Sequence, residues 1–275
     1  MGVRVNGVDL FVRRFGDPAL PMLVVVHGGP TWDHSYLLPA VADLADIAHV
    51  VVFDLRGCGR SSRVPPLAED QLQPDLLADD VAALIRHLGA PRADVLGFSY
   101  GGGVAMRVVE QHPSVVRRLI LASTTAYADF EADVPPERAS APIDWDAHPG
   151  DGALSRAMAL AHLPSTIWRL DRADQWRAVL DQVRFTSDWN APFLAGTLKT
   201  ARPDDPPGVL KAWGGPVLIL HGAREMSFPV EVARRLHAEV PASTLAEIPD
   251  AAHMAHFDNP AEWLAAARAF LTAPL

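Results

Sequence analysis

Apolar and polar positions follow two different rhythms along this chain. Short runs of β-branched and apolar residues predict strands at 8–15, 22–26, 50–53, 95–98, 119–122, 217–220 and 244–248. Stretches with helical spacing of apolar residues occur at 74–88, 102–112, 230–239 and 261–271. Strands that alternate with helices form parallel sheets covered on both faces, so the pattern predicts an α/β fold with a mostly parallel sheet.

The alternation is interrupted in the middle of the chain. Residues 127–152 are rich in Pro, Asp and Ala, helical spacing returns at 153–162, 173–185 and 191–200, and a Pro/Asp linker follows at 202–208. We interpret this region as a helical cap inserted into an α/β core. The predicted division is core at 1–126, cap at 127–210 and core again at 211–275.

A serine stands between a predicted strand and a predicted helix, in the string Gly97-Phe98-Ser99-Tyr100-Gly101. A serine at the apex of a sharp strand-to-helix turn has its hydroxyl exposed by a strained backbone. Glycines on either side allow the strand and the helix to pass close together. We therefore interpret Ser99 as a catalytic nucleophile.

A serine nucleophile needs a general base, which is expected after the last strand of such a core. His253 follows the predicted strand 244–248, and His256 is its competitor. We select His253 because of its position directly after the strand.

The base needs an acid that orients it, and this acid is expected in the loop after the preceding strand. Glu225 is the only carboxylate of that loop, and the chain order Ser99, Glu225, His253 is typical of nucleophile-elbow hydrolases. Asp129 is the main rival for the acid, and two further carboxylates are weaker alternatives: Asp250 and Asp258.

Acyl transfer also needs donors that stabilise an oxyanion. The backbone N–H of Tyr100 follows the nucleophile, and Gly29 lies in the loop after the strand 22–26, so these two are the predicted donors. His27, in the same loop, is interpreted as a residue that braces the loop. No His, Cys, Asp and Glu cluster has metal-ligand spacing, and no nucleotide-binding loop is found, so we expect neither a metal nor another cofactor.

The charge of the chain narrows its expected partners. The formal net charge is −9, which argues against nucleic acid and anionic membranes as main partners and leaves a small-molecule substrate. No apolar run reaches membrane-spanning length, and no signal peptide is recognised at the start, so we expect a cytoplasmic protein. The sequence does not indicate the oligomeric state.

Three strings together resemble the α/β-hydrolase superfamily, and within it the prolyl iminopeptidase-like branch. They are His27-Gly28-Gly29-Pro30, the string Asp-Leu-Arg-Gly-Cys-Gly-Arg-Ser at 54–61, and Gly-Phe-Ser-Tyr-Gly-Gly at 97–102. The resemblance implies an α/β-hydrolase fold with Ser99 as nucleophile and His253 as base. It also implies Gly29 and Tyr100 as oxyanion donors. The superfamily usually has Asp where this chain has Glu225.

The resemblance implies a serine hydrolase that cleaves an amide or ester bond of a small, largely apolar or aminoacyl substrate. The aminopeptidase branch binds the substrate amino terminus with carboxylates in or near the cap, and three residues are candidates here: Glu131, Glu137 and Asp188. An aminoacyl substrate is slightly preferred on this resemblance. A carboxylesterase, lactonase or thioesterase is the alternative, and a non-hydrolytic enzyme or a binding module on the same fold are further alternatives.

Candidate substrate-binding residues are Gly28, Trp32 and Trp189. The predicted cap contains four tryptophans, Trp145, Trp168, Trp176 and Trp189. They indicate either an aromatic substrate pocket or the core of a small lid, and we interpret at least two of them as core.

Overall fold

The apolar runs of the sequence form the strands of one eight-stranded sheet. A computed structural model describes residues 2–63, 67–144 and 147–275. The strands are β1 (Gly2–Val5), β2 (Val8–Phe15), β3 (Met22–Val26), β4 (His49–Phe53), β5 (Ala93–Phe98), β6 (Val116–Ala122), β7 (Val217–Gly222) and β8 (Ser243–Ile248). Their order is β1-β2-β4-β3-β5-β6-β7-β8. The pairs β1–β2 and β2–β4 are antiparallel and all others are parallel, so the predicted fold class is confirmed.

Helices cover both faces of this sheet. They are α1 (Leu38–Val41), α2 (Pro74–His87), α3 (Tyr100–Gln111), α4 (Ala153–Ala161), α5 (Leu163–Thr166), α6 (Ala173–Leu180), α7 (Asn190–Leu194), α8 (Pro206–Trp213), α9 (Val230–Glu239), α10 (Ala255–Asp258) and α11 (Pro260–Thr272). Alternate residues of β3 point into two different apolar clusters, with Val24 and Val26 on one side and Leu23 and Val25 on the other. Both faces of the strand are buried, which explains its continuous apolar sequence.

The region between β6 and β7 departs from its predicted elements. The predicted helix at 191–200 ends at Leu194, and the predicted linker at 202–208 contains the start of α8. Asp205 caps α8 by accepting a hydrogen bond from the Gly208 N–H at 3.0 Å, and the prolines that follow fit the first turn because their missing N–H groups have no helical partner there. The predicted domain boundary between residues 210 and 211 falls inside α8, which packs against α3.

The tryptophans of the predicted cap differ in their surroundings. Trp176 and Trp189 are fully buried, as the packing interpretation predicts for at least two of the four. Trp168 is half-buried, and the guanidinium groups of Arg138 and Arg224 lie 4.9 and 5.3 Å from its ring centroid. Trp145 lies outside the described residues.

Hydrogen bonds fasten this middle region to the loop that carries His253. The buried Asp258 carboxylate accepts from the backbone N–H groups of Trp168, Arg169 and Ala252 at 2.8 to 3.0 Å. The Met254 N–H donates to the Thr166 carbonyl at 3.0 Å. The position of the α4–α6 region is therefore coupled to the position of His253.

Within the described ranges, no helix is both long and apolar enough to cross a bilayer.

Candidate active site

Ser99 stands at the sharp turn between β5 and α3. Its backbone has φ 53° and ψ −120°, a region that non-glycine residues rarely adopt and that costs on the order of 1–3 kcal/mol. A side chain at Gly97 would overlap the Gly101 carbonyl oxygen, and one at Gly101 would overlap the Val26 carbonyl oxygen. The two glycines therefore allow the close crossing that holds the serine in this strained conformation.

The structure brings together the three side chains that the sequence singled out. Ser99 Oγ lies 3.1 Å from His253 Nε2, and His253 Nδ1 lies 2.8 Å from Glu225 Oε2. Because a carboxylate only accepts hydrogen bonds, Nδ1 carries the proton of the neutral imidazole, and Nε2 is free to accept the serine proton. The arrangement places the predicted nucleophile, base and orienting acid in hydrogen-bond reach of one another.

The carboxyl group of Glu225 is held in its charged form. Burial alone would raise the pKa of Glu225, but the adjacent His253 and the hydrogen bonds to the carboxylate together lower this pKa below its usual range. Oε1 accepts from the Ser227 N–H at 2.8 Å, which leaves Oε2 for the imidazole. The Glu225 side chain has no exposed surface, so solvent screens its interaction with the imidazole only weakly.

The rival carboxylates lie elsewhere. Asp129 is exposed and forms an ion pair with Arg235 at 3.0 Å. Asp250 is exposed, and Asp258 is used by the backbone N–H groups described above. Of the predicted acids, Glu225 alone is hydrogen-bonded to His253 among the described residues.

The rival base, His256, is a buried core residue. Its Nε2 lies 3.3 Å from the Tyr36 carbonyl, and its ring packs among Phe98, Trp176 and Trp263. Burial lowers the pKa of His256 to about 3, so the ring stays neutral in neutral solution. It makes no contact with Ser99 that would allow proton transfer in the described structure.

The buried His256 predicts a loss of stability in acid. Its pKa is about 3 in the folded chain and 6.5 in its ordinary state, so the unfolded chain binds the extra proton first. The contribution of the neutral His256 ring to the free energy of unfolding is complete above pH 6.5 and is lost as the pH falls toward 3. Urea titrations at pH 7.5 and at pH 4.5 give the free energy of unfolding that each protein loses on acidification. This loss should be smaller in His256→Phe than in the original protein, by up to about 2–3 kcal/mol. Equal losses in both proteins would contradict this assignment.

The loop after β3 is braced by two aromatic residues. His27 Nε2 accepts from the Leu55 N–H at 3.0 Å, so its Nδ1 carries the proton and donates to the Gly28 carbonyl at 2.9 Å. This is the bracing role that the sequence indicates for His27. The Gly28 N–H donates to the Tyr36 hydroxyl at 2.8 Å, and Gly28, a predicted substrate-binding residue, lines neither cavity at Ser99, so the structure places it in the internal support of the loop.

The predicted oxyanion donors, Gly29 and Tyr100, belong to two different segments that border cavities at Ser99. Gly29, with φ 54°, borders the same cavity as Ser99. Tyr100 is the first residue of α3. A backbone N–H in this position has no partner within the helix and forms part of the positive end of the helix dipole. The two predicted donors therefore come from separate segments of the chain, each of which borders a cavity that Ser99 also lines.

Two cavities meet at Ser99. The first has a volume of about 200 Å³ and is lined by residues that follow β3, residues of the β5–α3 turn, residues in or next to α4 and α5, and residues of the loop after β8: Gly29, Thr31, Trp32, Tyr36, Phe98, Ser99, Ser155, Met158, Ala159, His162, Thr166, His253 and Met254. The second has a volume of about 270 Å³ and is lined by Ser99, Tyr100, Gly103, Thr124, Thr125, Tyr127, Ala128, Phe130, Ala201, Arg202 and Phe228. Neither lining contains an Asp or a Glu side chain among the described residues.

The predicted substrate-binding residues have different outcomes. Trp32 lines the first cavity, as expected. Trp189 has no exposed surface, donates its indole N–H to the Arg56 carbonyl at 3.0 Å and packs against Tyr100. Its predicted contact with substrate is therefore corrected to a packing role. The cap carboxylates Glu131 and Glu137 are exposed and line neither cavity, whereas Asp188 is paired with Arg63.

Several wall residues of the cavities were not identified from the sequence. Ser155, Met158 and Ala159 lie on α4 at the spacing of one helical face, His162 lies between α4 and α5, and Thr166 ends α5, so helical periodicity was a signal for the first three alone. The sequence around Tyr36 and Arg202 contains no pattern that indicates a cavity wall, because long-range folding brings these residues to the site.

No group of three or more metal-ligating side chains occurs within the described ranges.

This chain is similar to several known proteins in sequence and in structure. A family model described as alpha/beta hydrolase fold matches residues 21–260. The uncharacterized hydrolase YugF of Bacillus subtilis (strain 168) is 22% identical over 270 residues, which are 93% of this chain and 92% of that protein. The proline iminopeptidase PfmaB of Pestalotiopsis fici is 32% identical over 125 residues, which are 44% of this chain and 43% of that protein. A thermophilic esterase from Thermogutta terrifontis has a TM-score of 0.73 and 26% identity, with 98% of this chain and 96% of that structure covered.

Proposed function

Because this chain belongs to the alpha/beta hydrolase fold family, we propose that it is a serine hydrolase that cleaves carboxylic esters through an acyl-enzyme on Ser99. The observation that carries the proposal is the continuous hydrogen-bonded path from Ser99 Oγ to His253 and on to Glu225, with distances of 3.1 and 2.8 Å. This path joins a hydroxyl nucleophile to a neutral base and a buried carboxylate, which together make serine nucleophilic at neutral pH.

Acylation begins when Ser99 Oγ attacks the ester carbonyl and His253 Nε2 takes the hydroxyl proton. The imidazolium that forms is stabilised by Glu225, whose carboxylate is already charged and needs no rearrangement. The negative oxygen of the tetrahedral intermediate accepts hydrogen bonds from the backbone N–H groups of Gly29 and Tyr100. Collapse of the intermediate expels the alkoxide, which takes its proton from His253, and leaves an ester bond between the acyl group and Ser99.

Deacylation repeats these steps with water. His253 Nε2 removes a proton from a water molecule, the resulting hydroxide attacks the acyl carbonyl, and the same donors stabilise the second tetrahedral oxygen. The proton returns to Ser99 Oγ as the carboxylic acid is released. Each residue therefore returns to its starting protonation state.

The walls of the cavities favour an ester over an aminoacyl substrate. An aminoacyl group carries an α-ammonium, which needs a carboxylate when it is removed from bulk water. The two cavities at Ser99 have no Asp or Glu in their described walls, and the candidate carboxylates of the cap are exposed or paired with arginine. Aminopeptidase activity, which the sequence resemblance slightly prefers, is therefore the second candidate.

A substrate panel separates these two candidates. We expect hydrolysis of 4-nitrophenyl esters of short neutral acids, with kcat/KM at least about 100-fold above that for 4-nitroanilides of proline and alanine, since an unpaired ammonium costs several kcal/mol in an apolar site. Absorbance of the released chromophore measures both reactions. A higher kcat/KM on the aminoacyl anilides would overturn the ester proposal and restore the aminoacyl one.

A further inference from the structure

The two cavities that meet at Ser99 differ in their relation to the base. His253 contributes to the wall of the first cavity and not to the wall of the second. The leaving group must receive its proton from His253 Nε2, so its oxygen has to lie on the side that this ring borders. The alcohol half of the ester therefore belongs in the first cavity, and the acyl half extends into the second.

The second cavity contains a cation without a counter-charge. Arg202 lines it and is half-buried, and its guanidinium forms no ion pair or hydrogen bond with any described residue. The neighbouring arginines differ, because Arg235 is paired with Asp129 and Glu239 and Arg107 donates to backbone carbonyls. Arg202 is the charged side chain in this cavity wall, and no carboxylate of the described wall neutralises it.

The backbone of Arg202 is fixed against α3. The Arg202 carbonyl accepts from Arg107 Nη2 at 2.6 Å, and the Ala201 carbonyl accepts from Arg107 Nε at 3.1 Å. The backbone of residues 201–202 lies so close to Gly103 that a Cβ there would be about 2.9 Å from Arg202 N. An arginine held in this way loses less conformational entropy when it binds an anion than one on a mobile loop.

We propose that Arg202 binds a carboxylate at the far end of the acyl group, so that the preferred substrates are monoesters of dicarboxylic acids. A guanidinium presents two parallel N–H donors that match the two oxygens of a carboxylate. The contact gains strength because the cavity is partly shielded from water and its described wall holds no competing carboxylate. This inference rests on the proposed ester hydrolysis and assigns its acyl specificity.

The test compares two esters with the same leaving group and the same number of acyl carbons, mono-4-nitrophenyl adipate and 4-nitrophenyl hexanoate. Arg202→Gln should lower the ratio of kcat/KM for the adipate to that for the hexanoate by about tenfold or more. Arg202→Lys should recover part of the ratio, since it restores the charge without the two-pronged contact. Arg184→Gln is the matched control, because Arg184 is an exposed arginine of the predicted cap that lines neither cavity, and its ratio should equal that of the original protein.

A ratio in Arg202→Gln within twofold of the original value would overturn the inference, and so would an equal drop in Arg184→Gln. Binding of monomethyl adipate to Ser99→Ala, measured by calorimetry, separates this inference from the proposed function. Addition of Arg202→Gln to that variant should weaken binding about tenfold even if the original protein hydrolyses no ester. Turnover of esters with no effect of Arg202 on either measurement would leave the hydrolase in place and remove the acyl assignment.

Discussion

Replacement of Ser99 by alanine should reduce kcat for ester hydrolysis by about four to six orders of magnitude. In the proposed mechanism the change removes the atom that forms the covalent bond to the acyl group, while the strained backbone and the proposed oxyanion donors remain. Residual hydrolysis would then come from substrate binding and oxyanion stabilisation alone. Steady-state kinetics with a 4-nitrophenyl ester measure the loss, with a concentration of protein high enough to detect the slow variant.

A structural control accompanies this variant. Alanine occupies less space than serine and still has a Cβ, so the midpoint of thermal unfolding should change by only a few degrees. His253→Ala should produce a loss of kcat of similar size, and combination with Ser99→Ala should add little, because the two residues act as a unit. Ester hydrolysis that survives Ser99→Ala within tenfold would mean that another group is the nucleophile.

Replacement of Glu225 by glutamine should reduce kcat by about two to four orders of magnitude. Glutamine keeps the size of the side chain but removes the charge that stabilises the imidazolium. Its amide N–H₂ can also donate to His253 Nδ1, which would move the imidazole proton to Nε2 and prevent that atom from accepting the serine proton. The effect is on kcat rather than on KM, because the residue does not line either substrate cavity at Ser99.

Asp129→Asn is the matched control for the acid. Asp129 was the strongest rival in the sequence, but its carboxylate is exposed and paired with Arg235. The substitution should change kcat by less than twofold, since an exposed ion pair contributes little to stability and this one does not reach His253. A large loss in Asp129→Asn together with near-normal kcat in Glu225→Gln would reverse the assignment of the acid.

The parts of the fold that local patterns determine were predictable from sequence. The strands β2 and β3 and the helix α9 occur at their predicted residues, because buried apolar runs and amphipathic spacing act within a few residues. The string around Ser99 was informative for the same reason: the turn, its glycines and the helix that follows are contiguous in the chain. The order of loops after β7 and β8 was then enough to select Glu225 and His253 as candidates.

The residues that line the cavities at Ser99 were not predictable in the same way. Trp32 and Trp189 are both tryptophans near the predicted site, yet one lines a cavity and the other is fully buried against α3. Composition does not separate these outcomes, because they depend on how the segments between β6 and β7 pack on the core. Arg202 illustrates the same limit, because its proposed role rests on the absence of a charged partner among the described residues, which no sequence pattern records.

The reactivity of Ser99 toward a fluorophosphonate is the most direct measurement of the central claim. The probe phosphonylates a serine, with release of fluoride, when a base and oxyanion donors activate the hydroxyl, so it reports the assembled site and does not require knowledge of the substrate. Mass spectrometry of the intact protein and of its peptides should show one adduct, on Ser99, with labelling abolished in Ser99→Ala and slowed at least about 100-fold in Glu225→Gln. A folded protein that remains unlabelled, or an adduct on a different residue, would contradict the account.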